Sequence, residues 1–279
     1  MPVATLPTGV DIYYESHGKG ESLVFIPATG LSSEVWKAFQ VPELSKSLDV
    51  IIHDPRGCGR STRVQAVCTI DQMACDVVAL LDHLGIESAH VLGHSMGGRI
   101  ALAMALNFPR KVKSLILAAS GSGPAARTGT DCIPGLQFFL VLELVEMGFE
   151  EFIRHDICDT ETYFTTDFRQ RHPDRVRAFY QSAWPTHSKL PDYLQLCIAR
   201  HNWEATHRLH EVKVPTLVVV GDADVGGSNH VTQAEVLANR IPGAEFKLLE
   251  GQSHGFFWQV PEETNAWIRA WVENHRTER

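Results

Sequence analysis

The sequence is short of several features, and each shortage excludes something. Its six cysteines, at positions 58, 68, 75, 132, 158 and 197, form no C-x-x-C pair and no zinc-ligand spacing. That excludes a cysteine metal site or dithiol motif, and a chain of 279 residues has core enough to need no disulfide framework. Basic charge is scarce: 25 Lys and Arg against 33 Asp and Glu leave a net charge of -8, with no footprint for nucleic acid. Long apolar runs are missing. The most apolar stretch, "IPGLQFFLVLELVEMGF", is short and broken by Glu143 and Glu146, so no membrane span is expected. The opening "MPVATLPTGVDIYYESHG" has neither the basic nor the apolar region of a secretory signal, and the expected location is the cytoplasm. There is no internal repeat and no low-complexity segment.

What is present is an alternation. "DIYYES", "SLVFIPA", "LDVIIHDPRG", "SAHVLGHS", "VKSLILAAS", "VPTLVVVGDAD" and "AEFKLLEGQSH" read as strands. Between them lie helical patterns. Thr69 and Gln72 form a capping-box pair ahead of an apolar stripe that Gly85 stops. "MGGRIALAMALNFP", a stretch over roughly 230–240, and "TNAWIRAWVENH" are further helices. Strands alternating with helices predict an α/β fold, a mostly parallel sheet covered on both faces. From about Gly121 to Glu211 the rhythm changes to helical segments rich in aromatics and histidines, with no convincing buried strand. This stretch reads as an inserted helical cap.

One serine stands out. In "HVLGHSMGGRIALAMA" it sits between a strand and a helix, with Gly93 before it and Gly97 and Gly98 after it. A hydroxyl is a poor nucleophile, and in mid-strand or mid-helix it would be buried or point sideways. At the apex of a strand-to-helix turn it is lifted clear of the sheet edge, and flanking glycines let the two arms pass closely. The helix beginning at Met96 also aims unpaired N–H groups beside Ser95, where an oxyanion would form. The competing reading is a serine that only caps the helix.

On this G-x-S-x-G turn in its α/β rhythm, the chain resembles the α/β-hydrolase fold superfamily along essentially its whole length. The resemblance implies a twisted, mostly parallel sheet with helices on both faces and an inserted helical cap, the core at 1–121 and 211–279 and the cap at 122–210. It also implies a nucleophile–acid–histidine order. "GDAD" offers Asp222 and Asp224, and the family's G-x-x-D pattern selects Asp224; Asp222 is expected to organise the turn through its own backbone. His254, in the glycine-flanked "EGQSHG", is the expected base, held by Asp224 through its other ring nitrogen. His94, the variable residue of the elbow, is expected to pack or hydrogen-bond beneath the turn. The family's D-x-R-G-x-G-x-S turn is matched by "DPRGCGRS", with Asp54 and Arg56 as braces.

The chain departs from the family where His-Gly usually follows the third strand: here stand Pro27 and Ala28. By position, Thr29 then supplies the second oxyanion N–H beside that of Met96. Enol-lactone hydrolases of aromatic catabolism often lack the same pair.

The resemblance implies a serine hydrolase of small, soluble carboxylic esters or lactones, acting through an acyl-enzyme, with no cofactor or metal. Arg99, Trp184, Phe257 and Trp258 are candidate substrate contacts, with Phe138, Phe139, Phe164 and Tyr193 as further aromatics of the cap; helically spaced aromatics also serve as core. Three alternatives stay open. "SMGGR" matches pyruvate-eliminating synthases of the menaquinone pathway, although a surface salt bridge is the preferred reading of Arg99. Trp258 stands where hydrolases of meta-cleavage products, which split C–C bonds, carry a tryptophan after their histidine. A receptor built on a non-catalytic hydrolase is the third.

Overall fold

The structure, a computed structural model, describes residues 2–63, 67–128, 138–224 and 229–276, the side chains of 127–142 excepted. Eight strands form one sheet: β1 (Val3–Thr5), β2 (Asp11–Gly18), β3 (Glu21–Ile26), β4 (Leu48–His53), β5 (Ala89–His94), β6 (Val112–Ala118), β7 (Thr216–Gly221) and β8 (Glu245–Leu249). Their order across the sheet is β1-β2-β4-β3-β5-β6-β7-β8. β1 and β2 are antiparallel to their neighbours, and the rest run parallel. Every residue of β5 and β7 is buried, because helices cover both faces of a parallel sheet; that is why these strands read as continuous apolar runs rather than alternations.

The helix Ile70–His83 begins at the Thr69 capping box, with both reciprocal bonds formed. The elbow helix runs Met96–Asn107 and stops before Pro109. The closing helix, Pro261–Asn274, starts earlier than its apolar pattern suggests because Pro261 occupies its first turn, where no N–H is needed. β1 and the short helices Gln40–Leu44 and Phe256–Gln259 are too brief for a periodic signal.

Between β6 and β7 the described elements are all helical, including Phe149–Cys158, Pro173–Ala183 and Leu190–Asn202. These helices share one apolar cluster with the sheet: Phe152, Phe164 and Phe179 pack with Phe25, Trp36 and Phe256. They are also tied by backbone to the two loops that carry the predicted site. Ser188 N–H donates to Gly30 O at 2.9 Å, and Gly255 N–H donates to Tyr163 O at 2.7 Å. A Cβ on Gly255 would lie 2.5 Å from that carbonyl oxygen, so glycine there is what lets the helical segment approach the His254 loop. Among the described residues, no helix is long and apolar enough to cross a membrane.

Candidate active site

The site grows from the end of β5. Ser95 has φ 55° and ψ -117°, a left-handed conformation that costs a non-glycine residue on the order of 1–3 kcal/mol and persists only where its surroundings enforce it. Here they do. Ser95 N–H donates to Ala118 O at 2.9 Å, and Ser95 O accepts from Gly98 N–H at 3.0 Å and from Ser120 Oγ at 2.7 Å. The arms of the turn touch: a Cβ on Gly93 would lie 2.2 Å from Gly97 O, and one on Gly97 would lie 2.1 Å from Ile26 O. The second approach seats the start of the elbow helix, with buried Met96, against the end of β3, just before Thr29.

Asp224 follows β7 and is buried. Its Oδ2 accepts from His254 Nδ1 at 2.8 Å. Burial works to raise the Asp224 carboxyl, but the neighbouring His254 and His230 imidazoles outweigh it and hold the group far below the usual carboxylate range. Asp224 is therefore an anion that fixes the tautomer of His254 with a proton on Nδ1, leaving Nε2 as the basic nitrogen. Asp222 behaves differently from the expectation. It is exposed and braces a neighbouring loop rather than its own turn, its Oδ1 accepting from Gly251 N–H at 2.7 Å.

His94 lies beneath the histidine loop. Its Nε2 donates to His254 O at 3.0 Å, and its ring packs 4.6 Å from that of His254. Burial drives its protonation well below the ordinary histidine range, so it serves as a neutral donor. Asp54 and Arg56 brace the loops around the site. Asp54 Oδ1 accepts from Ser33 N–H and Oγ at 2.9 and 2.6 Å, and Arg56 makes a two-pronged pair with Asp76, both bonds 2.6 Å.

Two pockets flank this machinery. The first is polar: Ser95 lines it with Arg99, Ser120, Arg200, His201, His230 and Gln233. Arg99 is half-buried there rather than on an open surface; its Nη1 donates to Arg200 O at 2.9 Å and its Nη2 to Gln233 Oε1 at 3.1 Å. The open-surface position expected of it is lost because Arg200, in the helix Leu190–Asn202, lies against it. Arg200 Nη1 donates to Thr29 Oγ1 at 3.1 Å, which fastens the loop of the predicted oxyanion donor. The second pocket is apolar, lined by Leu31, Trp36, Tyr163, Phe179, Phe257 and Trp258 among others. Tyr163 also sets the edge of its ring against His254, centroids 5.5 Å apart.

Of the aromatics named from sequence, Phe257 and Trp258 thus reach a pocket wall beside the histidine loop. Trp184 does not: it packs among Phe149, Tyr180 and His187, and lines neither pocket. Tyr193 belongs to the same cluster, and Phe164 is core, stacked on Phe168. The side chains of Phe138 and Phe139 lie outside the described residues. Sequence reasoning missed Ser120, Arg200 and His230. Asp224, His230 and His254 offer nitrogen and oxygen atoms within 4.8 Å of one another, a donor set zinc could take. Both histidines already donate to the carboxylate, so a metal there would break the tie that orients His254.

Comparison with known proteins gives the family and the fold. Residues 21–261 match the model of the alpha/beta hydrolase fold family. The chain is 30% identical over 273 residues to a 2-hydroxy-6-oxononadienedioate/2-hydroxy-6-oxononatrienedioate hydrolase of Paraburkholderia phymatum, covering 92% of this chain and 89% of that one. Among solved structures it resembles the enol-lactonase of Burkholderia xenovorans, with TM-score 0.82, 25% identity, and 98% and 100% of the two chains covered. An N-acyl homoserine lactone degrading enzyme gives TM-score 0.81, 26% identity, and 97% and 100% coverage.

Proposed function

Because the chain belongs to the alpha/beta hydrolase fold family, we propose that it is a hydrolase of small carboxylic esters or lactones, with Ser95 as nucleophile, His254 as base and Asp224 as the acid that orients it. The observation that carries this reading is the 2.8 Å bond from His254 Nδ1 to buried Asp224, in a fold whose elbow holds Ser95 at φ 55°. Ser95 Oγ attacks the carbonyl carbon and passes its proton to His254 Nε2. The carbonyl oxygen becomes an oxyanion, met by the backbone N–H groups of Thr29 and Met96. His254 then gives the proton to the departing alkoxide, leaving an acyl-enzyme. Water repeats the sequence, donating its proton to His254 and releasing the acid and free Ser95.

The polar pocket supports a narrower substrate class. Arg99 and Arg200 both line the cavity at Ser95, and two guanidiniums suit a substrate that carries a carboxylate at one end. The segment read as the cap, 122–210, contributes Arg200 to this cavity and Tyr163 and Phe179 to the apolar pocket beside it. The partner is a small molecule, and the cytoplasm is the place of work. A second reading, hydrolysis of a C–C bond in an acidic substrate, draws on the same two arginines and on Trp258 beside the histidine loop.

A fluorophosphonate probe and short p-nitrophenyl esters test the first reading. The wild type should label once and turn over ester; Ser95→Ala should lose labelling and at least about a thousandfold in kcat. Labelling with no ester or lactone turnover would shift the reading to the C–C bond. Retained turnover in Ser95→Ala would remove Ser95 from the mechanism.

A further inference from the structure

His230 plays no part in the mechanism above, yet it holds the same carboxylate as His254. Its Nδ1 donates to Asp224 Oδ1 at 3.0 Å, while His254 donates to Oδ2 at 2.8 Å. The two imidazoles stack, centroids 4.5 Å and planes 26° apart, and His230 lines the cavity with Ser95. An ionised carboxylate only accepts, so both rings carry a proton on Nδ1. Asp224 therefore divides its charge between two donors, one on each oxygen. We infer that His230 is a positioning residue for the reaction: it fixes the second oxygen of Asp224 and, by drawing on the charge of that carboxylate, extends the reaction toward lower pH.

The charges around His230 agree with a neutral donor. Asp224 faces it from the loop after β7, His254 from the loop after β8, and Arg99 from the elbow helix. Arg200 and His201 share its cavity from the helix Leu190–Asn202, and the His94 ring packs against that of His254. Asp156, in the helix Phe149–Cys158, interacts with His254 and Arg200. Burial pushes the protonation of His230 down, Asp224 opposes that only in part, and the His254 ring adds to the fall. Near neutral pH His230 thus donates from Nδ1 without adding a charge. A bond donated to a carboxylate makes it a weaker partner for an imidazolium. Without His230 the undivided charge of Asp224 would fall on His254, and the acid limb of the reaction would move to higher pH.

This inference rests on the assignment of Ser95 and His254 above, and its test separates the two. The rate of fluorophosphonate labelling is followed against pH in the wild type, His230→Phe, His230→Leu and His230→Asn, with the titration of the His254 ring followed by NMR in the same proteins. Phenylalanine keeps a stacked ring without a donor, and leucine serves if phenylalanine disturbs folding. Asparagine restores an N–H where Nδ1 lies. The expected result is an acid limb, and a His254 titration midpoint, moved up by roughly half a pH unit or more in the Phe and Leu variants and brought back toward wild type by Asn. A folded Phe or Leu variant whose midpoint stays at the wild-type position overturns the inference, as does failure of Asn to reverse a shift. A wild type that never labels would defeat the nucleophile assignment, while the NMR midpoints would still decide the role of His230.

Discussion

The two pockets beside Ser95 and the histidine loop are built from opposite chemistry. The one at Ser95 is walled by Arg99, Arg200, His201, His230 and Gln233; the one at the histidine loop by Leu31, Trp36, Tyr163, Phe179, Phe257 and Trp258. Each takes side chains from both the sheet's loops and the helical segment between β6 and β7. The polar wall is held by directional bonds, such as Arg200 to Thr29 and Arg99 to Gln233. The apolar wall is held by edge-on and tilted rings, Phe257 on Trp36 at 5.1 Å and Phe179 on Trp258 at 5.1 Å. A substrate spanning them would be charged at one end and apolar at the other. The difference also separates two kinds of residue: those whose loss should change which substrate is chosen, and those whose loss should change how firmly the site is assembled.

The largest expected effect lies between the two walls. Asp224→Asn would leave an amide facing two imidazoles and spoil the tautomer of His254. Turnover should fall by about a thousandfold or more, as when a triad acid is amidated. Asp222→Asn, at the exposed bond to Gly251, should change turnover by less than about threefold, since surface substitutions away from special features alter little. Comparable losses in the two variants would undo the choice of acid, and with it the idea that both pockets are organised around one carboxylate.

Arg200→Met sharpens the comparison next. Losing a charge-assisted contact costs roughly 1.5–3 kcal/mol, so kcat/KM for a p-nitrophenyl ester carrying a free carboxylate should fall about 10- to 100-fold. For a neutral ester of similar length the fall should stay within a few-fold, reflecting only the loosened Thr29 loop. Equal losses on both esters would assign Arg200 to that loop alone and remove the argument for an acidic substrate.

The elbow was legible because its causes are local. Gly93, Ser95 and Gly97 lie within five residues, so the pattern shows in the sequence even though Gly97 makes room for the end of β3. Asp224 and His254 could be placed by order and spacing within the family resemblance. The polar wall was not legible. Arg200 reaches Thr29 across 171 residues of chain, and no pattern of residue types marks one arginine on an inserted helix. His230 is only six residues past Asp224, but no residue pattern announces that Asn229 enters the helix His230–Arg240 in a left-handed conformation at φ 45°. Trp184 misled for a related reason: an aromatic on a helical segment can face a ligand or another helix, and here it faces Phe149 and Tyr180.

The smallest expected effect tests the apolar wall. Trp258 Nε1 donates to Val35 O at 2.8 Å, and its ring packs against Phe39 and Phe179, so it joins the histidine loop to the loop after β3 and to the helix Pro173–Ala183. Trp258→Phe keeps most of the ring contact but leaves a buried carbonyl without its donor, at a cost of about 1–3 kcal/mol. The urea midpoint should fall accordingly with the slope of the transition unchanged. The ratio of kcat/KM between acidic and neutral esters should hold, because this wall acts by packing and carries no charge. A changed ratio with unchanged stability would instead give Trp258 a part in choosing the substrate, and the division of labour between the two walls would have to be redrawn.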